Sequence, residues 1–279
     1  MKKILLAAAF AALLAASCSN RTVEQKIEDY KAASKSIVEQ FQAELKEALS
    51  DSLLTEEQAY AKYDEIEGVW LPKIMDLAKK TIRKNKDNQL AVVALKDIYY
   101  EMEQDELESV IGTLSDEVKA DPFVEQVSKA VAAKKATAEG RQFTDFEVVQ
   151  DAQDPEGSKV RFSDFAGKGK YILVDFWASW CGPCKKEIPN IAAVYEKYKG
   201  EDFDVLSIAV WDKPEDTKIA AVEHGVVWNQ IINAQKIPTD IYGIEGIPHI
   251  MLIGPDGTIL KRNLRGGDIE KAVSEALGR

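Results

Sequence analysis

The sequence predicts two fold classes in one chain: an all-α region over residues 18–140, followed by an α/β domain over residues 141–279. Three observations carry this. Residues 19–140 set apolar side chains at helical spacing between long charged stretches. From Phe143 the period shortens to that of strands. Finally, "KYILVDFWA" and "FDVLSIAVW" are continuous apolar runs suited to strands buried on both faces, and the stretch from Cys184 to Lys199 between them has a helical pattern. Strand, helix and strand of this length make a βαβ unit. A chain of 279 residues has room for two domains of ordinary size.

The N-terminus reads as an export signal over residues 1–17: Lys2 and Lys3 are its positive end, Ile4 to Ala16 its apolar stretch, and Ala15, Ala16 and Ser17 its small-residue end. The apolar stretch is too short to span a bilayer. Cys18 follows at once, and "LAASC" resembles the lipobox of bacterial lipoproteins. That resemblance implies lipidation of Cys18 and a membrane anchor facing the periplasm; an ordinary secretory cut would instead leave Cys18 as a free thiol. The net charge of −11 argues against any broad attraction to nucleic acid.

In the first region Val23, Ile27, Tyr30, Ile37 and Phe41 recur on one helical face. Further helices are expected around Ile66, Trp70, Ile74 and Leu77, around Leu90, Ala94, Ile98 and Met102, and around Phe123, Val124, Val127 and Val131. Pro72 should kink the second of these or mark a new start. Asp121 before Pro122 looks like an N-cap with proline in the first turn. The stripe from Val23 to Phe41 lapses at Ser34 and Glu44, which favours a helix packed within its own domain over a coiled-coil dimer.

In the second region "FTDFEVVQ" and "KVRFSDF" are short strands separated by the turn-rich "DAQDPEGS". The βαβ unit follows. "HIMLIGPDGTIL" then reads as an antiparallel hairpin around "GPDG", and a helix from Asp268 to Leu277 closes the chain. Cys181 falls where the buried strand gives way to the helix, and Cys184 lies one turn on. Unpaired N–H groups and the dipole at a helix start stabilise a thiolate, so Cys181 is the candidate nucleophile and Cys184 the candidate resolving thiol. Gly182 and Pro183 between them permit close approach and fix the turn.

"ILVDFWASWCGPCKKEIP" resembles the active-site strand and helix of thioredoxin. The resemblance implies a thioredoxin fold, a central mixed sheet with flanking helices. It matches Asp175 to a buried aspartate that carries a proton for the second cysteine, and Pro189 to a proline that kinks the helix. A carboxyl buried in an apolar strand should have a raised pKa; a solvent-facing charge at a strand end is the other reading. Glu187, three residues past Cys184, matches the acidic residue of the extracytoplasmic TlpA-like reductases, where it can tune the thiols; a plain surface glutamate is the alternative. The cis-proline loop of such a site could be "KIPTD" at Pro238 or "GIPHI" at Pro248. Only Pro248 precedes a strand, so the cis bond is expected at Ile247–Pro248, with Ile247 pairing to substrate backbone. Trp180, Gly182 and Pro183 complete the expected substrate rim. "DKPEDTKIAAVEHGVVWNQIINAQK" resembles the central insertion of the TlpA-like family, expected as a strand-helix element.

The implied activity is thiol:disulfide exchange, with no cofactor beyond the Cys181/Cys184 pair. The partners expected are exported thiol or disulfide proteins as substrates and a membrane thiol-electron transporter as electron donor. Zinc would need more ligands than one CxxC with His224 and His249 supplies. A peroxiredoxin-like peroxidase would need a lone cysteine in a different setting, and a non-catalytic lipoprotein adaptor would have no use for an intact pair.

Overall fold

The computed structural model describes residues 21–50, 53–151 and 153–279; the expected signal segment and Cys18 lie outside the described residues. Contacts divide the chain into two compact units, Met1–Ser128 and Lys129–Arg279. No helix among the described residues is long and apolar enough to cross a membrane.

The first unit is helical. Helices α1 (Val23–Ala48) and α2 (Glu56–Lys84) each start with a reciprocal cap, Thr22 with Gln25 and Thr55 with Gln58, which satisfies orphan backbone donors at both starts. Helix α3 (Gln89–Ile98) is capped by Asn88 and buried nearly all round through Leu90, Ala91, Val92, Ala94, Leu95 and Ile98. Helices α4 (Gln104–Gly112) and α5 (Asp116–Lys119) follow. Helix α6 (Pro122–Ala136), whose residues from Lys129 onward count with the second unit, begins as Asp-Pro predicts, with Asp121 Oδ1 accepting from the Phe123 N–H at 2.9 Å.

Two details differ from expectation or extend it. Pro72 does not mark a new start: α2 continues through it, with buried Ile66, Ala78 and Ile82 holding the turns on either side of the lost backbone bond. Where the stripe of α1 lapses, polar side chains bind neighbouring helices instead. The Tyr30 and Ser34 hydroxyls donate to Asp97 Oδ2 at 2.7 and 3.0 Å, and the Trp70 indole donates to Glu44 Oε2 at 2.7 Å.

The second unit is a thioredoxin fold. Strands β1 (Glu147–Val149) and β2 (Lys159–Arg161) pair antiparallel as a separate ribbon. The main sheet is built from β3 (Tyr171–Trp177), β4 (Phe203–Ala209), β5 (Asn229–Ile231), β6 (His249–Ile253) and β7 (Ile259–Lys261), in the order β5-β4-β3-β6-β7. β3 is parallel to β4 and antiparallel to β6, so it occupies the centre. Between strands come α7 (Gly182–Tyr198), α8 (Pro214–Glu223) and α9 (Ile237–Tyr242), and α10 (Gly267–Leu277) ends the chain.

Alternation along β3 sorts the core. Leu173 and Trp177 pack with Ile188, Ile191 and Val194 of α7 and with Ile269 and Val273 of α10. Ile172, Val174 and Phe176 face the other way, toward Phe146, Phe162 and Tyr242. Both faces are covered, which is why the strand reads as one apolar run. The central insertion runs in the opposite order to that expected: helix α8 first, then β5, then α9, with Pro238 in the first turn of α9.

Candidate active site

Strand β3 ends at Trp177, and the chain turns through Ala178–Trp180 into α7 with Cys181 at its N-cap. Cys181 and Cys184 are joined in a disulfide, with Cα atoms 5.3 Å apart. The Cys184 N–H, one of the orphan donors of the helix start, lies 3.1 Å from Cys181 Sγ and points at it. Cys181 is 3% exposed and Cys184 1%, so both sulfurs are recessed, and the exposed rim is made by Gly182, Pro183 and Trp180. The Trp180 indole N–H donates to the Trp211 carbonyl at 3.0 Å, which turns the ring outward as a fixed apolar ledge.

Across from the cysteines, the Ile247–Pro248 peptide bond is cis. The Ile247 carbonyl oxygen is 3.7 Å from Cys181 Sγ. Pro238 is not part of this loop.

Asp175 sits at the fifth position of β3, 1% exposed, and its place in the alternation puts it on the face of Leu173 and Trp177, the side where the cysteines pack. The strand-end reading of this residue therefore falls away. Its Oδ2 accepts from the Ser207 hydroxyl at 3.3 Å, and Ser207 in turn accepts from the Trp228 indole at 2.8 Å; Oδ1 has no hydrogen-bond partner among the described residues. Burial pushes the carboxyl up to about 7; Ser207 and the positive charge of Arg265 oppose this, and the negative charge of Glu187 adds to it. Such a carboxyl can hold or release a proton near neutrality.

Glu187 is half-buried on α7, and its Oε2 accepts from Asn190 Nδ2 at 2.9 Å and from the Gly266 N–H at 3.0 Å. It is thus tied to the loop before α10. His249 follows the cis-proline but pairs with Phe176 in the ladder, so its ring faces the opposite side of the sheet from Asp175. Burial lowers its pKa to about 3 and keeps it neutral.

A family model described as AhpC/TSA matches residues 140–262. The thiol-disulfide oxidoreductase ResA of Halalkalibacterium halodurans is 30% identical over 124 residues, which span 44% of this chain and 68% of that protein. The chain belongs to the TlpA-like thiol-disulfide oxidoreductases. ResA of Bacillus subtilis is 28% identical over 130 residues, 47% of this chain and 69% of that protein. Among solved structures, the thioredoxin domain of a thiol-disulfide oxidoreductase from Bacteroides vulgatus is 33% identical, with a TM-score of 0.43 over 50% of this chain and 96% of that one.

The oxidoreductase carries several site residues that sequence reasoning passed over. Ser207 had a usable signal: one hydroxyl inside the apolar run "FDVLSIAVW" must find a partner when buried. Asp212 had none. Its carboxylate accepts from the Ser179 N–H at 2.7 Å, the Ser179 hydroxyl at 2.9 Å and the Thr217 hydroxyl at 2.9 Å, anchoring the turn that leads into Cys181. Arg265 was equally silent, since its guanidinium meets the Pro248 carbonyl only through the fold. No group of three or more His, Cys, Asp or Glu able to hold a metal occurs among the described residues.

Proposed function

We propose that this oxidoreductase works as a reductase of disulfides in exported proteins, held at the periplasmic side of a membrane by a lipid on Cys18. The observation that supports the exchange chemistry best is the N-cap position of Cys181, with the Cys184 N–H at 3.1 Å and the Ile247 carbonyl oxygen at 3.7 Å from its sulfur. In the dithiol form the helix start favours the Cys181 thiolate.

Cys181 thiolate attacks one sulfur of a substrate disulfide, forming a mixed disulfide and expelling the other substrate sulfur as a thiolate. Cys184 gives its proton to the Asp175 carboxylate and attacks Cys181 Sγ, forming the Cys181–Cys184 bond and releasing the second substrate thiolate. Two electrons pass from the dithiol to the substrate, and Glu187 adjusts the charge around the proton carrier. Ile247 and the Trp180, Gly182 and Pro183 rim would receive the substrate chain beside the reacting sulfur, Ile247 through backbone pairing next to Pro248. A membrane thiol-electron transporter is the implied source of replacement electrons.

The Gly-Pro pair between the cysteines supports the reducing direction. Equilibration of the chain with glutathione measures it: a potential near that of thioredoxin, about −270 mV, is expected, and one near that of the oxidant DsbA, about −120 mV, would overturn the reductase reading. A Cys184→Ser chain should trap substrates on Cys181 as mixed disulfides, whereas Cys181→Ser should trap none.

A further inference from the structure

The short segment Leu264–Gly266 between β7 and α10 is laced to both halves of the site. The Leu264 N–H donates to the Ile250 carbonyl of β6 at 3.0 Å, and the Gly266 N–H donates to Glu187 of α7 at 3.0 Å. Arg265 lies between them. Its guanidinium donates to the Leu264 carbonyl at 2.7 Å and, by its other terminal nitrogen, to the carbonyl of Pro248 itself. The side chain is therefore a brace from the α10 loop to the cis-proline, whose neighbour Ile247 presents its carbonyl to Cys181.

The charge of Arg265 matters as well as its shape. The charged groups that act on Asp175 are Glu187 on α7 and Arg265 on this loop, while Cys181 and Cys184, which pack on the same face of the sheet, titrate only in the dithiol form. The partners of Asp175 in the neighbouring strands, Ser207 in β4 and Ile250 in β6, are uncharged. Arg265 favours the Asp175 carboxylate and Glu187 disfavours it, while both carboxyls act back on the guanidinium.

We propose that Arg265 is a positioning residue of thiol–disulfide exchange: its planar fork holds the Pro248 carbonyl, and with it the Ile247 edge facing Cys181, while its positive charge offsets Glu187 at the carboxyl of Asp175. This rests on Asp175 being the proton carrier for Cys184. Fork and charge separate by substitution, since lysine keeps the charge without the fork and glutamine keeps a donor without the charge.

The test uses the full chain in its dithiol form, reacted with insulin as the disulfide probe. Decay of the mixed disulfide to the Cys181–Cys184 bond is followed against pH by acid quench and mass spectrometry, and KM is obtained in steady state with dithiothreitol. Decay should quicken with pH as Asp175 becomes a carboxylate. Arg265→Gln should move that midpoint upward by about half a pH unit or more, and Glu187→Gln should move it downward. Arg265→Lys should leave the midpoint in place and raise KM about threefold or more. Equal slowing by both Arg265 variants at every pH, or no change in either, would overturn the proposal. Asp175→Asn tells the two readings apart. If it removes the midpoint while Arg265→Gln leaves it unmoved, Asp175 stands and Arg265 falls; if it keeps the wild-type midpoint, both fall.

Discussion

Asp175 places a titrating carboxyl in the middle of an otherwise apolar strand, and stability should record it. Its native pKa of about 7 lies above the ordinary aspartate value, so between the two the native state holds a proton that the unfolded chain has released. Stability therefore falls as pH rises from about 4 through 7, and the full penalty, on the order of 4 kcal/mol, is present at pH 8. Asp175→Asn should raise the Tm of the oxidised thioredoxin-like unit at pH 8 and leave it nearly unchanged at pH 4. Equal gains at both pH values would contradict a penalty of ionisation. Asp175 was legible in the sequence through its match to the thioredoxin strand, and its burial through the apolar run in which this lone acid stands. Its hydrogen-bond partner Ser207 was legible only in principle, and Arg265 not at all, because no sequence spacing connects residue 265 to residue 175.

Among the elements, α9 shows how backbone geometry can fix a residue type. It ends at Gly243, which has φ of +61° and approaches α6 so closely that an added Cβ would lie 2.5 Å from the Ala130 carbonyl oxygen and 2.8 Å from the Lys134 nitrogen. Both obstacles are backbone atoms, so neither can swing away. Gly243→Ala should cost well over 1 kcal/mol, since left-handed strain alone is of that order, and urea denaturation of the oxidised chain would measure it. The residue before it, Tyr242, is fully buried and exchanges two hydrogen bonds with the Thr144 backbone, at 2.8 and 3.0 Å. The long elements were readable in the sequence: α1, α2 and α7 by helical period, β3 and β4 as unbroken apolar runs, and the β6–β7 hairpin by the turn between its strands. The short α4, α5 and α9 were not, because each is too brief to show a period and is held by its neighbours and caps.

On the scale of the whole molecule, the position of the domain boundary has a measurable consequence. The compact unit begins at Lys129, ahead of the change of period near Phe143. The last turns of α6 and the residues after it supply part of that unit's framework. Arg262 donates from one guanidinium nitrogen to the Thr137 carbonyl and hydroxyl at 2.6 and 2.7 Å, and from the other to the Tyr242 carbonyl at 2.7 Å. Lys134 pairs with Glu245 at 2.5 Å, and Gly140 and Arg141 exchange backbone bonds with Ile259 of β7 at 2.7 Å each. A fragment from residue 121 to 279 should fold and retain insulin reductase activity. One from 141 to 279 strips the half-buried Arg262 of its Thr137 partners and should be less stable by about 2 kcal/mol, the order of losing hydrogen bonds made by a charged donor. Equal denaturation midpoints for the two would show that the period change marks the true boundary.

What the sequence by itself determined was local: where helices start, which runs are buried on both faces, that one isolated cysteine pair sits at a strand-to-helix junction, and which proline precedes a strand. Each of these follows from side-chain period, capping chemistry or the fixed φ of proline, all of which act within a few residues. Only the tertiary structure decided what surrounds the sulfurs. It set Asp175 on the cysteine side and His249 on the other, tied Glu187 to Gly266, and brought Arg265 to the cis-proline carbonyl, because burial and electrostatics depend on distances in space that no local pattern encodes.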